Sequence, residues 1–125
     1  MCLIVKRKYR IKNSNIVGHS DIAPLRKKDP GEKFPWNLLN QKGLGIKSKN
    51  SNFKSSKLNS KEIRSLFFNN LFKIGYRYIN KRKKSKKDVF LVKAFQRRFL
   101  PNQVTGVIDQ KTLKISHFLA NSINN

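Results

Sequence analysis

The chain has 125 residues, of which 29 are lysine or arginine and six are acidic, so its formal net charge is +23 at pH 7. This length allows one ordinary domain or two very small ones, and one cysteine excludes both an internal disulfide framework and a four-cysteine zinc site. No apolar run approaches the roughly 18 residues that cross a bilayer, and the apolar start, residues 1–5, is too short for a signal peptide.

The positive charge would attract any polyanion, whether nucleic acid, acidic lipid headgroups or an anionic polymer of the cell envelope. Lysine, asparagine and isoleucine are all abundant, which is also what AT-rich coding produces. The densest basic cluster, residues 81–87, has no interleaved aromatic side chain on which a base could stack. A solvated loop is therefore its first interpretation and a polyanion contact its second. No specific nucleic-acid partner is expected.

The first 46 residues contain closely spaced glycine and proline residues, which predict an irregular loop as the main feature. Residues 3–9 fit the end of a helix, and Ile16 and Val17 fit a short buried strand that leads into Gly18 and His19. Residues 47–57 are mostly serine, lysine and asparagine, a composition typical of a linker.

Three amphipathic helices are predicted between residues 58 and 123, because apolar side chains recur there at spacings of three and four. Together they predict a small all-α bundle. Polar residues are placed to cap each helix, and glycine or proline to end the first two. The start signals are Asn59 with Glu62, Asp88 and Asp109, and the stop signals are Gly75 and Pro101.

Candidate chemistry lies between the predicted strand and the linker. His19 is followed ten residues later by Asp29 in a Pro-Gly loop, and such a pair can converge on one metal ion with the nitrogen and oxygen ligands that suit Zn²⁺. Lys27 precedes Asp29 by two residues and could stabilise an oxyanion at the same place. From the residues alone, a structural His–Asp hydrogen bond is the alternative.

Residues 16–36 read Ile-Val-Gly-His-Ser-Asp-Ile-Ala-Pro-Leu-Arg-Lys-Lys-Asp-Pro-Gly-Glu-Lys-Phe-Pro-Trp. This string resembles the C-terminal signature of the zinc-dependent N-acetylmuramoyl-L-alanine amidases, which cut the amide between N-acetylmuramic acid and L-alanine in peptidoglycan. The resemblance implies that His19 and Asp29 are zinc ligands and that Lys27 stabilises the tetrahedral intermediate. It gives supporting or packing roles to Asp21, Arg26 and Trp36.

The segments Gly-Tyr at 75–76, Ala-Phe-Gln-Arg-Arg-Phe at 94–99 and Gly-Val-Ile-Asp-Gln-Lys-Thr-Leu at 106–113 are similar to the three-helix peptidoglycan-binding domain. That module commonly follows an amidase domain. The resemblance implies peptidoglycan as the partner of the bundle, and the candidate contacts are Tyr76, Phe95 and Arg98.

The expected fold is therefore an α/β amidase-domain fragment, a C-terminal remnant that is mostly loop, over residues 1–46, then the linker over 47–57 and the all-α bundle over 58–123. A catalytic zinc normally has three protein ligands, and the resemblance implies a further histidine upstream, but none of the residues before His19 is His, Asp or Glu. Zinc is expected only if an absent upstream histidine completes the site, for example from an amidase half that is encoded separately.

The sequence thus leaves open whether the chain is an enzyme. The first interpretation is a truncated N-acetylmuramoyl-L-alanine amidase, the second is a non-catalytic peptidoglycan-binding remnant, and the third is a basic nucleic-acid-binding protein. Intact relatives act in the cell envelope or periplasm. The sequence as written shows no signal peptide and no membrane span, which predicts a cytoplasmic location if it is expressed as such.

Overall fold

A computed structural model describes residues 2–25, 27–31, 33–46, 58–76, 79 and 86–123, with the main chain only for His19 and Ile123. This described part contains α-helices, a 3₁₀ helix at Asn13–Asn15, and no strand. None of its helices is long and apolar enough to span a membrane. The helices are α1 (Cys2–Tyr9), α2 (His19–Ile22), α3 (Trp36–Gln41), α4 (Ser60–Ile74), α5 (Asp88–Phe99) and α6 (Gln110–Ile123).

The long helices α4, α5 and α6 enclose the main apolar core. The rings of Phe67 and Phe95 meet edge to face, with centroids 5.4 Å apart, a geometry that aromatic pairs prefer. Each such side chain stabilises the fold by roughly 1.5–3 kcal/mol when it leaves water, so this cluster holds the bundle together. Its members with 0% exposure are Phe67, Phe68, Leu71, Leu91, Ala94, Phe95 and Leu113.

The predicted start of α4 and the predicted start of α6 are both confirmed. The Asn59 side chain accepts a hydrogen bond from the Glu62 amide at 2.9 Å and also donates to the Glu62 carboxylate. The Thr112 amide donates to Asp109 Oδ1 at 2.8 Å. Gly75 ends α4 with φ = 124°, a left-handed conformation that only glycine adopts without strain.

Asp88 does not cap α5 as predicted. Lys87 occupies the cap position without a side-chain hydrogen bond to the helix, and Asp88 is the first residue of the helix itself. Its carboxylate instead accepts a hydrogen bond from Arg64 Nε at 2.8 Å. Two nitrogen atoms of Arg64, on α4, lie 2.8 Å from Asp88 Oδ2, so this carboxylate is engaged by another helix. The predicted end of α5 near Pro101 is confirmed, because the helix ends at Phe99.

The α/β amidase remnant predicted for residues 1–46 is wrong: the described part of this segment is helix, turn and loop. Ile16 has extended dihedral angles, but the predicted strand is neither paired nor buried, since Val17 is 39% exposed. A strand needs a neighbour for its backbone groups. Here the Ile16 carbonyl accepts a hydrogen bond from Arg98 instead, at 2.9 Å. The predicted helix at residues 3–9 is confirmed within α1.

The predicted linker, residues 47–57, lies outside the described residues, as does most of the basic cluster at 81–87. The division into segments 1–46, 47–57 and 58–123 stays a prediction.

Gln96 ties α5 to the loop that leads into α6. Its side chain is fully buried; its Oε1 accepts from the amides of Thr105 and Gly106, both at 2.9 Å. Its Nε2 donates to the Val107 carbonyl at 3.0 Å and to the Thr112 hydroxyl at 3.1 Å. A buried amide is tolerated only when its donors and acceptors are paired, and here they are.

We expect Gln96→Leu to lower the free energy of unfolding by about 1–3 kcal/mol, the cost of leaving buried polar groups unpaired at nearly constant volume. Urea titration followed by circular dichroism measures this change. Gln103→Leu is the matched control, because Gln103 is exposed, and its free energy of unfolding should stay close to that of the unmodified chain. Equal effects of the two substitutions would contradict a structural role for the Gln96 hydrogen bonds.

Candidate functional site

The turn that carries His19 is held by its own short-range hydrogen bonds. The Gly18 amide donates to Asp21 Oδ2 at 2.9 Å, and the Asp21 amide donates back to the Gly18 carbonyl at 3.1 Å. A Cβ atom on Gly18 would lie 2.5 Å from Pro30 Cδ. Glycine is therefore required here by the close approach of the Asp29–Pro30 loop.

The structure brings the main chains of the predicted zinc ligands together. The amide of Ser20, next to His19, donates to the Asp29 carbonyl at 2.9 Å. The Lys27 amide donates to the Ala23 carbonyl, also at 2.9 Å, and the Lys27 side chain is exposed. The predicted ligands and the predicted oxyanion-stabilising residue thus belong to two backbone segments that are hydrogen-bonded to each other.

The residues that the structure describes do not by themselves complete a zinc centre. The described part of the chain contains no group of three or more His, Cys, Asp and Glu side chains that could hold a metal ion. A catalytic zinc takes three protein ligands, and the pair His19 and Asp29 supplies two donors of the right chemical kind. No reaction step through a metal follows from these residues alone.

Beside the turn lies a buried charge cluster that joins it to the bundle. Arg98 Nη1 on α5 lies 2.6 Å from Asp21 Oδ2, and the two side chains are 3% and 6% exposed. The Tyr76 hydroxyl donates to the other carboxylate oxygen, Asp21 Oδ1, at 2.5 Å. Both oxygens of Asp21 are therefore paired, which offsets much of the cost of removing the ions from water.

Arg98 also contacts two further parts of the N-terminal segment. Its Nη2 donates to the Ile16 carbonyl, and its guanidinium carbon lies 3.6 Å from the centroid of the Trp36 ring on α3. A planar guanidinium can stack and donate several hydrogen bonds at once. One side chain of α5 therefore holds α2, α3 and the loop before α2 against the bundle.

The pKa of the Tyr76 hydroxyl is raised well above its ordinary value of 10.0. Burial is the larger cause, and the negative charge of Asp21 and its hydrogen bond to the hydroxyl act in the same direction. Tyr76 therefore stays a neutral hydrogen-bond donor to Asp21.

The predicted peptidoglycan contacts are largely inside the protein. Tyr76 is 4% exposed and Phe95 0%, and the Arg98 side chain is taken up by the contacts above. Tyr76 and Arg98 nevertheless line a cleft of about 460 Å³ between the N-terminal segment and the bundle, together with Val17 and Phe99. A role of Tyr76, Phe95 and Arg98 in peptidoglycan binding stays a prediction.

Sequence reasoning missed the pairing of Asp21 with Arg98, two residues separated by 77 positions. One signal was present. Arg98 lies three residues after Phe95 and next to Phe99, on the apolar side of the predicted helix. A cation at a core position requires a buried anion nearby, but nothing in the sequence says which carboxylate supplies it.

Comparison with known proteins points to one enzyme group. No family model matches the chain. A stretch of 38 residues is 58% identical to the N-acetylmuramoyl-L-alanine amidase AmiD of Escherichia coli (strain K12), which is 30% of this chain and 14% of AmiD. The crystal structure of AmpDh3 from Pseudomonas aeruginosa superposes with a TM-score of 0.83 and 28% identity, over 99% of this chain and 50% of AmpDh3. The chain shares its fold with these amidases.

Two solved complexes extend the comparison. AmiD bound to its substrate anhydro-N-acetylmuramic acid-L-Ala-D-γ-Glu-L-Lys matches with a TM-score of 0.78 and 26% identity, over 96% of this chain and 48% of AmiD. AmpDh3 bound to an anhydromuramic pentapeptide matches with a TM-score of 0.79 and 28% identity, over 97% of this chain and 49% of AmpDh3. The chain spans about half the length of the solved structures that it matches.

The raised pKa of Tyr76 predicts a specific alkaline destabilisation. Because the folded-state pKa lies above that of the unfolded chain, the stabilisation is complete below about pH 10 and is lost as the pH rises further. We expect Tyr76→Phe to remove this part of the pH dependence when the free energy of unfolding is measured between about pH 9 and 12. At neutral pH the same substitution should lower the free energy of unfolding by about 1 kcal/mol, because Asp21 loses one hydrogen-bond donor.

Tyr9→Phe is the control, because Tyr9 is an exposed tyrosine on α1. It should retain the alkaline slope of the unmodified chain. An unchanged slope in Tyr76→Phe would contradict the assignment.

Proposed function

We propose that this chain supplies part of an N-acetylmuramoyl-L-alanine amidase, which hydrolyses the amide between N-acetylmuramic acid and L-alanine in peptidoglycan. The observation that carries this proposal is the match of nearly the whole chain to two amidases, AmiD and AmpDh3, each of which has been solved with a muramyl peptide. The locally high identity to AmiD supports it. Peptidoglycan as the substrate implies action in the cell envelope.

In this proposal His19 and Asp29 are zinc ligands, and a histidine from the upstream half of the amidase domain is the third. The hydrogen bond from the Ser20 amide to the Asp29 carbonyl supports a shared site, because it holds the two ligand-bearing segments side by side. A two-ligand site binds zinc weakly, so the metal is expected only when the upstream half is present.

Lys27 takes the role of stabilising the oxyanion that develops on the amide carbonyl as it is attacked. Its side chain is exposed on the loop between Ala23 and Asp29, where substrate can reach it. Removing one hydrogen-bond donor of this kind from an active site lowers kcat by a factor of roughly 10²–10³.

The first test combines zinc content with amidase activity. The full chain is co-expressed with the upstream part of E. coli AmiD, and the product is assayed for bound zinc and for stem peptides released from purified sacculi. We expect both only when the two polypeptides are present, and we expect His19→Ala to lose both, because it removes a metal ligand. Lys27→Ala should retain zinc and lose about 10²–10³ in kcat.

His117→Ala is the matched control for the histidine, since His117 is the other histidine of the chain and lies on α6. It should leave zinc content and activity unchanged. Zinc binding and hydrolysis that survive His19→Ala would show that this turn is not the metal site.

A second candidate function is peptidoglycan binding without catalysis. It is favoured by the bundle, which closes its own apolar core around Phe67 and Phe95. A net charge of +23 adds attraction to an anionic wall.

The second test is co-sedimentation of the purified chain with sacculi at increasing salt. We expect retention to persist at salt concentrations that remove the chain from a DNA column, because contacts inside a cleft such as the one that Tyr76 and Arg98 line are less screened than attraction between exposed charges. Retention on DNA together with absence from the sacculus pellet would instead support the nucleic-acid interpretation.

A further inference from the structure

We propose that Arg98 is a positioning residue that fixes the His19-bearing turn on the helical bundle, so that the bundle is a built-in part of the candidate site. The proposal rests on the proposed function for the roles of His19 and Asp29. The alternative is a bundle that binds peptidoglycan but is joined to the N-terminal segment only through the predicted linker.

The contacts of Arg98 converge on the part of the chain before the linker. The guanidinium pairs with Asp21 on α2, donates to the Ile16 carbonyl and stacks on Trp36 of α3. Lysine has one compact charge and cannot satisfy these contacts together, whereas the planar fork of arginine can. The chemistry of this position therefore calls for arginine specifically.

The effect of Arg98 reaches the predicted ligands through Asp21. The Asp21 carboxylate accepts a hydrogen bond from the Gly18 amide at the start of the turn. The neighbouring Ser20 amide donates a hydrogen bond to the Asp29 carbonyl. If Arg98 is removed, Asp21 is left as a buried charge without its cation, which is strongly unfavourable. The carboxylate then turns toward water, and the turn and the Asp29 loop move with it.

Trp36 provides a probe of this contact. It is the one tryptophan of the chain and is 8% exposed, so its fluorescence reports whether the N-terminal segment stays docked. Far-ultraviolet circular dichroism reports mainly α4, α5 and α6, which are the longest helices of the described part. The two signals therefore follow the two sides of the Arg98 contact separately.

The experiment heats the full chain and compares Arg98→Ala with Arg97→Ala, its neighbour on the same helix. In the unmodified chain and in Arg97→Ala we expect the two signals to change together, as one cooperative unit. In Arg98→Ala the Trp36 transition should precede the helical one by at least about 5 °C. Arg98→Lys should give a smaller separation, because it keeps the charge but not the planar fork.

Amide hydrogen exchange on Arg98→Lys supplies a readout that a general loss of stability would not produce. We expect faster exchange at Gly18 and Ser20, whose amides bind Asp21 and Asp29, with unchanged exchange in the core of α6. This measurement also serves if Arg98→Ala does not fold.

Coincident transitions in Arg98→Ala, separate transitions in the unmodified chain, or uniformly faster exchange in Arg98→Lys would each overturn the proposal. None of these measurements depends on amide hydrolysis. Failure of the positioning role and failure of the amidase proposal are therefore distinguishable.

Discussion

The buried ion pair between Asp21 and Arg98 is the constraint that fixes the N-terminal segment on the bundle. Removing two charges from water costs several kcal/mol for each ion, and the cost is offset only when the remaining donors and acceptors are also paired. Tyr76 and the Gly18 amide complete the set around Asp21. The pair therefore fixes one arrangement of the turn against α5, since any displacement would leave a charge unpaired in the interior.

The same requirement explains how a segment without a strand in its described part can be ordered. The Ile16 backbone is extended, and in a sheet its carbonyl would bind a neighbouring strand. Arg98 takes that place, and its stacking on Trp36 covers the apolar side of the guanidinium. Gln96, also on α5, acts in a comparable way. Its buried side chain accepts hydrogen bonds from backbone amides of the loop before α6.

The sequence predicts correctly those interactions whose partners are close together along the chain, and it fails where the partners are far apart. The caps at Asn59 and Asp109 rest on partners three residues away, so the local pattern was sufficient for both. The local pattern wrongly predicts a cap at Asp88, because the competing partner, Arg64, lies 24 positions away on another helix. The strand at Ile16 failed for the same reason, since strand formation is decided by neighbours that a local pattern does not contain. The pairing of Asp21 with Arg98 could be foreseen only as an unmatched cation on an apolar helix face.

The structural matches bear on whether the turn and the bundle form one unit. A TM-score of 0.83 over 99% of the chain requires that residues on both sides of the predicted linker superpose under one rotation. Two domains joined by a flexible linker would not be expected to share their relative placement with AmpDh3 and AmiD. The identity to this chain is 28% for AmpDh3 and 26% for AmiD. A fixed placement needs a contact that carries it. Within the described residues, the cluster of Asp21, Tyr76, Trp36 and Arg98 has the burial and the paired charges to do so.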